Sequence, residues 1–296
     1  MIRRRSFAKS MVRMVLAAAA VSAGIRFSPA KTADLTSAEL SVFSFNLRYA
    51  SAKPPNSWPE RRPVMRALWD QYQPDLVGTQ EGVYPQLRDL ASDIPQYGWI
   101  GTGRDGGSRG EFMAIFYKRS RLEPLEFDHF WLSDTPEVVG SSTWGNTNRR
   151  MVTWVRFKDL KTSQEFYFWN THFDHANQTA REKAAELVQK RLAKLNPTLP
   201  LILAGDFNAV AKRNRVYTSL VEEAGLMDTW YAAKERRNDD LNSFNNFAPA
   251  VRNGERIDWV LSRGNISVRA TEIITFQLNG QNPSDHYPLA VWLTLH

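Results

Sequence analysis

The chain has 296 residues, 43% hydrophobic and 12% aromatic, enough to bury the core of one large domain. It has no cysteine, which excludes disulfides, thiolate metal sites and cysteine nucleophiles. The formal charge of +7 is concentrated: residues 1–30 hold six cations and no acid, and taking those six from 38 leaves 32 basic against 31 acidic residues, so the body gives no support to a protein that tracks a polyanion backbone.

Residues 1–30 read as an export signal. A cationic start (Arg3, Arg4, Arg5, Lys9, Arg13) precedes the apolar stretch Met14 to Ile25 and a small-residue exit at Ser28-Pro29-Ala30. That stretch falls short of the about 20 residues needed to cross a bilayer, so no permanent membrane anchor is expected. Arg4-Arg5-Ser6-Phe7-Ala8-Lys9 suits a twin-arginine route as well as a Sec route, with cleavage after Ala23 or Ala30. The expected product is a monomer in the periplasm or outside the cell, with residues 31–296 as a single domain.

Further along, apolar runs bounded by turn residues predict strands over 40–46, 75–80, 97–101, 112–118, 150–157, 165–171, 200–205, 256–262, 267–275 and 288–294. Helices are predicted over 59–72, with Pro59 in the first turn, and over 84–92. A third, 178–194, shows the 3.6 period in Ala184, Leu187, Val188, Arg191 and Leu192; a fourth, 214–224, stops at Gly225. Many strands and few helices predict two sheets packed face to face with helices outside. Loops 103–111, 132–148 and 232–255 are long, and long loops at a sheet rim commonly hold specificity.

Six apolar runs end abruptly on a carboxylate, a carboxamide or a histidine. They lead into Asn46, Glu81, His172, Asp206 with Asn208, Asp258, and Asp285 with His286. Each has a plain reading: an Asx-turn at Gly205-Asp206-Phe207-Asn208, a helix-starting acid at Glu81, a satisfied histidine in Thr171-His172-Phe173-Asp174-His175. Asp206 and Asn208 can also point the same way, two apart on an extended chain, and an aspartate such as Asp258 can fix the tautomer of an imidazole such as His286. If the six ends share one rim, hard oxygen ligands meet two imidazoles, a set suited to Mg²⁺ and to cleavage of a phosphate ester. That reaction takes on the order of 20 kcal/mol of barrier lowering, more than one base or one donor supplies, so the motifs carry weight together.

In this order the motifs resemble those of the endonuclease/exonuclease/phosphatase superfamily. The resemblance covers roughly residues 38–296; Phe45-Asn46-Leu47-Arg48-Tyr49, Gly110-Glu111-Phe112, Phe130 to Pro136 and Thr171 to His175 look like a bacterial exported branch. It implies a deoxyribonuclease-I-like four-layer α/β/β/α sandwich of two mainly antiparallel or mixed sheets. It also implies an Mg²⁺-dependent hydrolase of phosphate esters, with Mn²⁺ as an alternative ion. Glu81 would be the principal metal ligand, with Asn46 and Asp285 on the metal side. Asp206 and Asn208 would orient and deprotonate the attacking water, while His286, held by Asp258, and His172 would stabilise phosphoryl charge. Glu111, Arg149, His175 and Arg181 are second-tier residues for substrate contact. The near-neutral body favours a small organic phosphate or lipid headgroup, as diester or monoester, over nucleic acid. A secreted nuclease is the alternative, and a non-catalytic binding module a third reading. Trp131 and Trp144 could line a substrate loop, and Phe244 to Pro249 is a candidate protruding hairpin.

Overall fold

The computed structural model describes residues 38–296, so the expected export signal lies outside the described residues. In chain order the strands are β1 (Glu39–Asn46), β2 (Leu76–Gln80), β3 (Gly82–Val83), β4 (Tyr97–Ile100), β5 (Glu111–Phe112), β6 (Ile115–Lys118), β7 (Leu122–Trp131) and β8 (Met151–Asp159). They continue with β9 (Glu165–His172), β10 (Leu201–Asp206), β11 (Met227–Asp228), β12 (Glu235–Arg237), β13 (Asp258–Arg263), β14 (Ile266–Ile273) and β15 (Leu289–Leu295). The helices are α1 (Trp58–Tyr72), α2 (Tyr84–Asp93), α3 (Gln178–Leu192), α4 (Arg215–Tyr217) and α5 (Thr229–Ala232). No described helix is long and apolar enough to cross a membrane.

One sheet runs β12-β14-β15-β1-β2-β6-β4, the other β11-β13-β10-β9-β8-β7, and β3 pairs with β5. Period-two alternation stacks the layers. Leu40, Val42 and Leu76 face Phe166, Phe168, Ile202 and Ala204 between the sheets. The alternate residues Phe43, Phe45 and Val77 pack on Met65, Leu68 and Trp69 of α1 and Leu87 of α2. On the other side Trp169, Leu201 and Leu203 pack on Ala184, Ala185 and Val188 of α3. The result is the expected four-layer sandwich. Its sheets are mixed: β1 and β2 are parallel, as are β9 and β10, whereas β15 and β13 run antiparallel to β1 and β10. The last residues of β1, β2, β9 and β10 and the first of β13 and β15 therefore lie at one rim.

Short elements β3, β11, α5 and β12 were not expected, and three further departures have a physical reason. The run 112–118 is split: Ile115–Lys118 pairs with β2 and β4, whereas Glu111–Phe112 turns away to pair with β3, and the Ala114 carbonyl between them accepts from Thr79 N, Thr79 Oγ1 and Asn170 Nδ2. The expected helix 214–224 is one α-turn followed by a π-turn over Thr218–Glu223, where Gln189 of α3 donates to the Ser219 carbonyl. Strand β7 was illegible: it is an edge strand, mostly exposed, with Pro124 at a register shift and Glu123, Glu126 and Asp128 breaking the apolar pattern.

Below the rim the sheets are joined by carboxamides rather than by apolar contact. Gln80 Nε2 donates to Asn170 Oδ1 (2.7 Å), and Asn170 Nδ2 donates to the Thr79 carbonyl (2.8 Å). Gly78 makes room for this pair, since a Cβ there would sit 2.8 Å from Asn170 Oδ1. Gly78→Ala is expected to displace Asn170, leave buried amide groups unpaired and cost about 1–3 kcal/mol. Thermal unfolding checks this; an unchanged midpoint would contradict the tight fit.

Candidate active site

The rim assembles around Asp206. It ends β10 in register with His172 on one neighbouring strand and Asp258 on the other. Asn208, two residues on, returns its backbone N–H to Asp206 Oδ1 (2.9 Å). From the other sheet, Asn46 at the end of β1 donates Nδ2 to Asp206 Oδ2 and to Glu81 Oε1, both at 3.0 Å. His172 Nε2 lies 3.4 Å and His286 Nε2 3.8 Å from the same Asp206 Oδ2, and His286 Nδ1 is 2.9 Å from Asp258 Oδ2. All eight residues expected at the core of the site thus meet at this rim, with Asp285 beside His286 in the segment entering β15. Arg48, Glu81 and Asn208 hold left-handed backbone (φ 53°, 63° and 48°), the local strain that accumulates where side chains are aimed for a purpose.

The acidic side fits a hard divalent cation. Arg48 stands within ion-pair reach of both Glu81 (3.8 Å) and Asp285 (3.5 Å), so a guanidinium already marks a place for positive charge. Burial pushes the Asp285 carboxyl upward, with His286 opposing and Glu81 adding to it, a desolvation cost that a bound dication would offset. Glu81, Asn46 and Asp285 offer the oxygen donors such an ion takes. Asp206, Asp258 and His286 also come within 4.8 Å of one another, but the Asp258–His286 hydrogen bond commits that pair to each other.

A cavity of about 460 Å³ opens over the rim. All three long loops reach it: Arg104 and Glu111 from the first, Asn148 from the second, Phe244 and Asn246 from the third. Of the second-tier residues, Glu111 and His175 line the cavity. Arg149 and Arg181 do not. Arg149 turns outward to Asp105 and the Gly140 carbonyl, and Arg181 is held by Gln178 and the Asp174 carbonyl. The place in the cavity belongs to Arg150, next to the start of β8 and 3% exposed. Its Nη2 bonds His175 Nδ1 (3.2 Å), while Nε and Nη1 meet no acceptor. Sequence reasoning passed over Arg150, and also Arg48, Arg104 and the fully buried Arg61; adjacency to a strand start was the available signal for Arg150. Phe244 to Pro249 is not a protruding hairpin. Asn245 and Asn246 donate backbone N–H to the Asp285 carbonyl, and the Phe244 ring lies 4.9 Å from that of His286. Trp131 is core, and Trp144 lies away from the cavity.

Hard oxygen donors, two imidazoles and paired carboxamides at one rim of a four-layer sandwich define the deoxyribonuclease-I-like fold. The chain belongs to the endonuclease/exonuclease/phosphatase family, whose model matches residues 43–286. Among solved structures it is similar to a family member from Bacteroides vulgatus, 30% identical with a TM-score of 0.82, covering 87% of this chain and 99% of that one. It is also similar to a mannosyl-6-phosphatase from Bacteroides thetaiotaomicron VPI-5482, 34% identical with a TM-score of 0.81, covering 86% of this chain and 100% of that one. An uncharacterised protein of Acanthamoeba polyphaga mimivirus is 28% identical over 162 residues, 51% of this chain and 59% of that protein. The match thus spans little more than half of that curated relative.

The rim splits its two imidazoles into opposite states. Burial, followed by the charges of Arg150 and Arg104, holds His172 well below the ordinary histidine value, so it is neutral. Burial also opposes the charged form of His286, but the Asp258 carboxylate, its hydrogen bond and then Asp206 outweigh it and raise the group to about 10. Asp206 rises to about 7, through burial first and the Asp258 charge second. For His286 a folded value above the unfolded one means stabilisation that is complete below about 6.5 and lost as pH climbs through about 10. Imidazole NMR is expected to show one rim histidine protonated across neutral pH and one neutral. Asp258→Asn should bring the first down by one pH unit or more, to order of magnitude. Two imidazoles titrating together near 6.5 would contradict the asymmetry.

Proposed function

We propose that this chain is an exported, divalent-metal-dependent phosphohydrolase whose preferred substrates are phosphomonoesters of small alcohols, phosphorylated sugars foremost. The carrying observation is the convergence of Asn46, His172, Asn208 and His286 on Asp206. Export rests on the composition of residues 1–30, and the sugar on likeness to a mannosyl-6-phosphatase over nearly the whole body. Glu81, Asn46 and Asp285 would hold Mg²⁺ or Mn²⁺, which when bound supplies positive charge against the phosphoryl oxygens.

The protein groups divide the remaining work. Asp206, with Oδ1 fixed by the Asn208 N–H, orients a water with Oδ2 and takes its proton, a task suited to a carboxylate raised toward neutrality. The water oxygen bonds to phosphorus as the ester P–O bond breaks, and the alkoxide leaves with a proton from solvent. Protonated His286 donates from Nε2 to a phosphoryl oxygen as charge grows there, and Asp258 keeps it charged. Neutral His172 places Nε2 3.0 Å from Asn208 Nδ2 and steadies that carboxamide. Arg150, in the cavity wall, adds a guanidinium charge near the non-bridging oxygens.

Purified mature protein with Mg²⁺ is expected to release phosphate from mannose 6-phosphate, and EDTA to abolish release. Asp206→Asn and His286→Ala should each lose about 10²–10⁴-fold in kcat with thermal unfolding still cooperative. Undiminished turnover in EDTA sinks the proposal. Plasmid nicking faster than phosphate release, with steep salt dependence, would transfer the assignment to a nuclease.

A further inference from the structure

Among the charged groups of the cavity stand two exposed aromatic rings. Phe244 and Tyr49, both 40% exposed, line it together with half-buried Ile257. The Arg48 guanidinium lies over the Tyr49 ring, 4.4 Å from its centroid, and covers one face. Phe244 is exposed on a segment that is fastened on both sides. Its neighbours Ser243 and Asn245 are buried, and a one-residue bridge pairs Phe244 itself with His286. The Ser243 carbonyl accepts from Tyr287 N (2.8 Å), Ser243 Oγ accepts from Ile257 N (3.0 Å), and Asn245 N donates to the Asp285 carbonyl (2.8 Å). The segment thus holds the ring at the cavity, 4.9 Å from the His286 ring, with apolar surface open to water. That surface carries a hydration cost which the apolar face of a ligand would remove. Asn246, exposed and two residues on, brings a carboxamide to the same cavity.

We infer that Phe244 is a platform for the ring of the substrate's alcohol, so that the enzyme selects cyclic sugar phosphates over open-chain polyol phosphates. The inference rests on the phosphohydrolase reading of the cavity and deepens it. A pyranose combines a flat face of C–H groups with an edge of hydroxyls; Phe244 meets the face, and Asn246 meets the edge. An open-chain polyol carries the same hydroxyls but no flat apolar face. Phe244 stands against the imidazole that donates to the phosphoryl group, so its occupant lies within a few bonds of phosphorus. The ring of a hexose 6-phosphate is that near. A nucleobase, which also stacks on aromatic rings, is set further off by its ribose.

The test compares kcat/KM for phosphate release, in Mg²⁺, from mannose 6-phosphate and from mannitol 1-phosphate, its reduced open-chain counterpart with the same primary ester. Wild type is expected to favour the ring by about 10-fold, which covering about 50 Å² of apolar surface supplies. Phe244→Ala should lower that ratio several-fold, while Phe244→Trp, which keeps a flat face, should hold it. Phe244→Leu, apolar but without a flat face, should fall between them. The ratio within each variant is the readout, so a smaller folded fraction or a disturbed His286 cancels. Equal turnover of both esters by wild type, or a preference that Phe244→Ala and Phe244→Leu leave unmoved, overturns the platform alone. Loss of both esters in all three variants assigns Phe244 to structure and overturns it too. Adenosine 5′-monophosphate hydrolysed faster than mannose 6-phosphate overturns it in favour of a nucleobase. Hydrolysis of no ester by wild type overturns the phosphohydrolase reading beneath it.

Discussion

A single carboxylate oxygen, Asp206 Oδ2, joins the two sheets at the rim, and the site exists only while that junction holds. Asp206 is 1% exposed, and a carboxylate so buried is tolerable only with compensation from its neighbours. That compensation is drawn from separate parts of the chain. Asn46 supplies a hydrogen bond from the opposite sheet, Asn208 a backbone N–H from the following turn, and His286 a positive charge from the segment entering β15. The bonds that make Asp206 bearable in the interior are the same ones that aim it. Folding and catalytic geometry are therefore one problem at this rim: mis-stacked sheets would leave a charge stranded rather than a site slightly askew.

A second constraint acts from behind. Arg61, on α1, is fully buried and has no carboxylate within hydrogen-bonding reach; its guanidinium donates to the carbonyls of Leu47, Arg48, Tyr49, Asn56 and Pro283 at 2.7–3.0 Å. Burial lowers it to about 10, still charged at neutral pH. Five planar donors satisfying five carbonyls is a task for guanidinium and not for ammonium. The carbonyls belong to the segment after β1, which carries Arg48, and to the residue just before Ser284-Asp285-His286. An outer-layer helix thereby fixes both strand-end segments of the first sheet without touching the cavity.

These two constraints explain what the sequence discloses and what it conceals. Asn46, Glu81, His172, Asp206, Asp258 and His286 are visible because each breaks an apolar run at its end, a local contrast of residue type. Arg61 has no such contrast, since an arginine on a helix with acids nearby looks like an ordinary solvated face; its carbonyl partners are created by the loops it organises. Arg149 and Arg150 cannot be told apart by composition. Only the phase of β8, set by pairing with β7 from Met151 and with β9 from Val152 onward, turns one inward and the other toward Asp105. The π-turn at Thr218–Glu223 depends on a bond from α3, which no 3.6-residue count contains. Edge strand β7, half exposed, carries no clean alternation to be read.

The near-neutral body and the charge-rich cavity are compatible once the charges are assigned partners. Glu81 and Asp285 form an acidic side with Arg48 between them, and Arg104 and Arg150 face them with Glu111 and Asp174 in turn nearby. Each charge is largely answered within a few ångströms, so the long-range field is weak and does little to steer a polyanion from a distance. At contact range the cancellation is incomplete: the Arg150 guanidinium stands in the cavity wall and His286 keeps its proton. On the proposed function, such an arrangement would act on a phosphoryl group at contact rather than draw anions from a distance. Under that reading, discrimination among substrates would fall to the three long loops whose residues line the cavity over the rim.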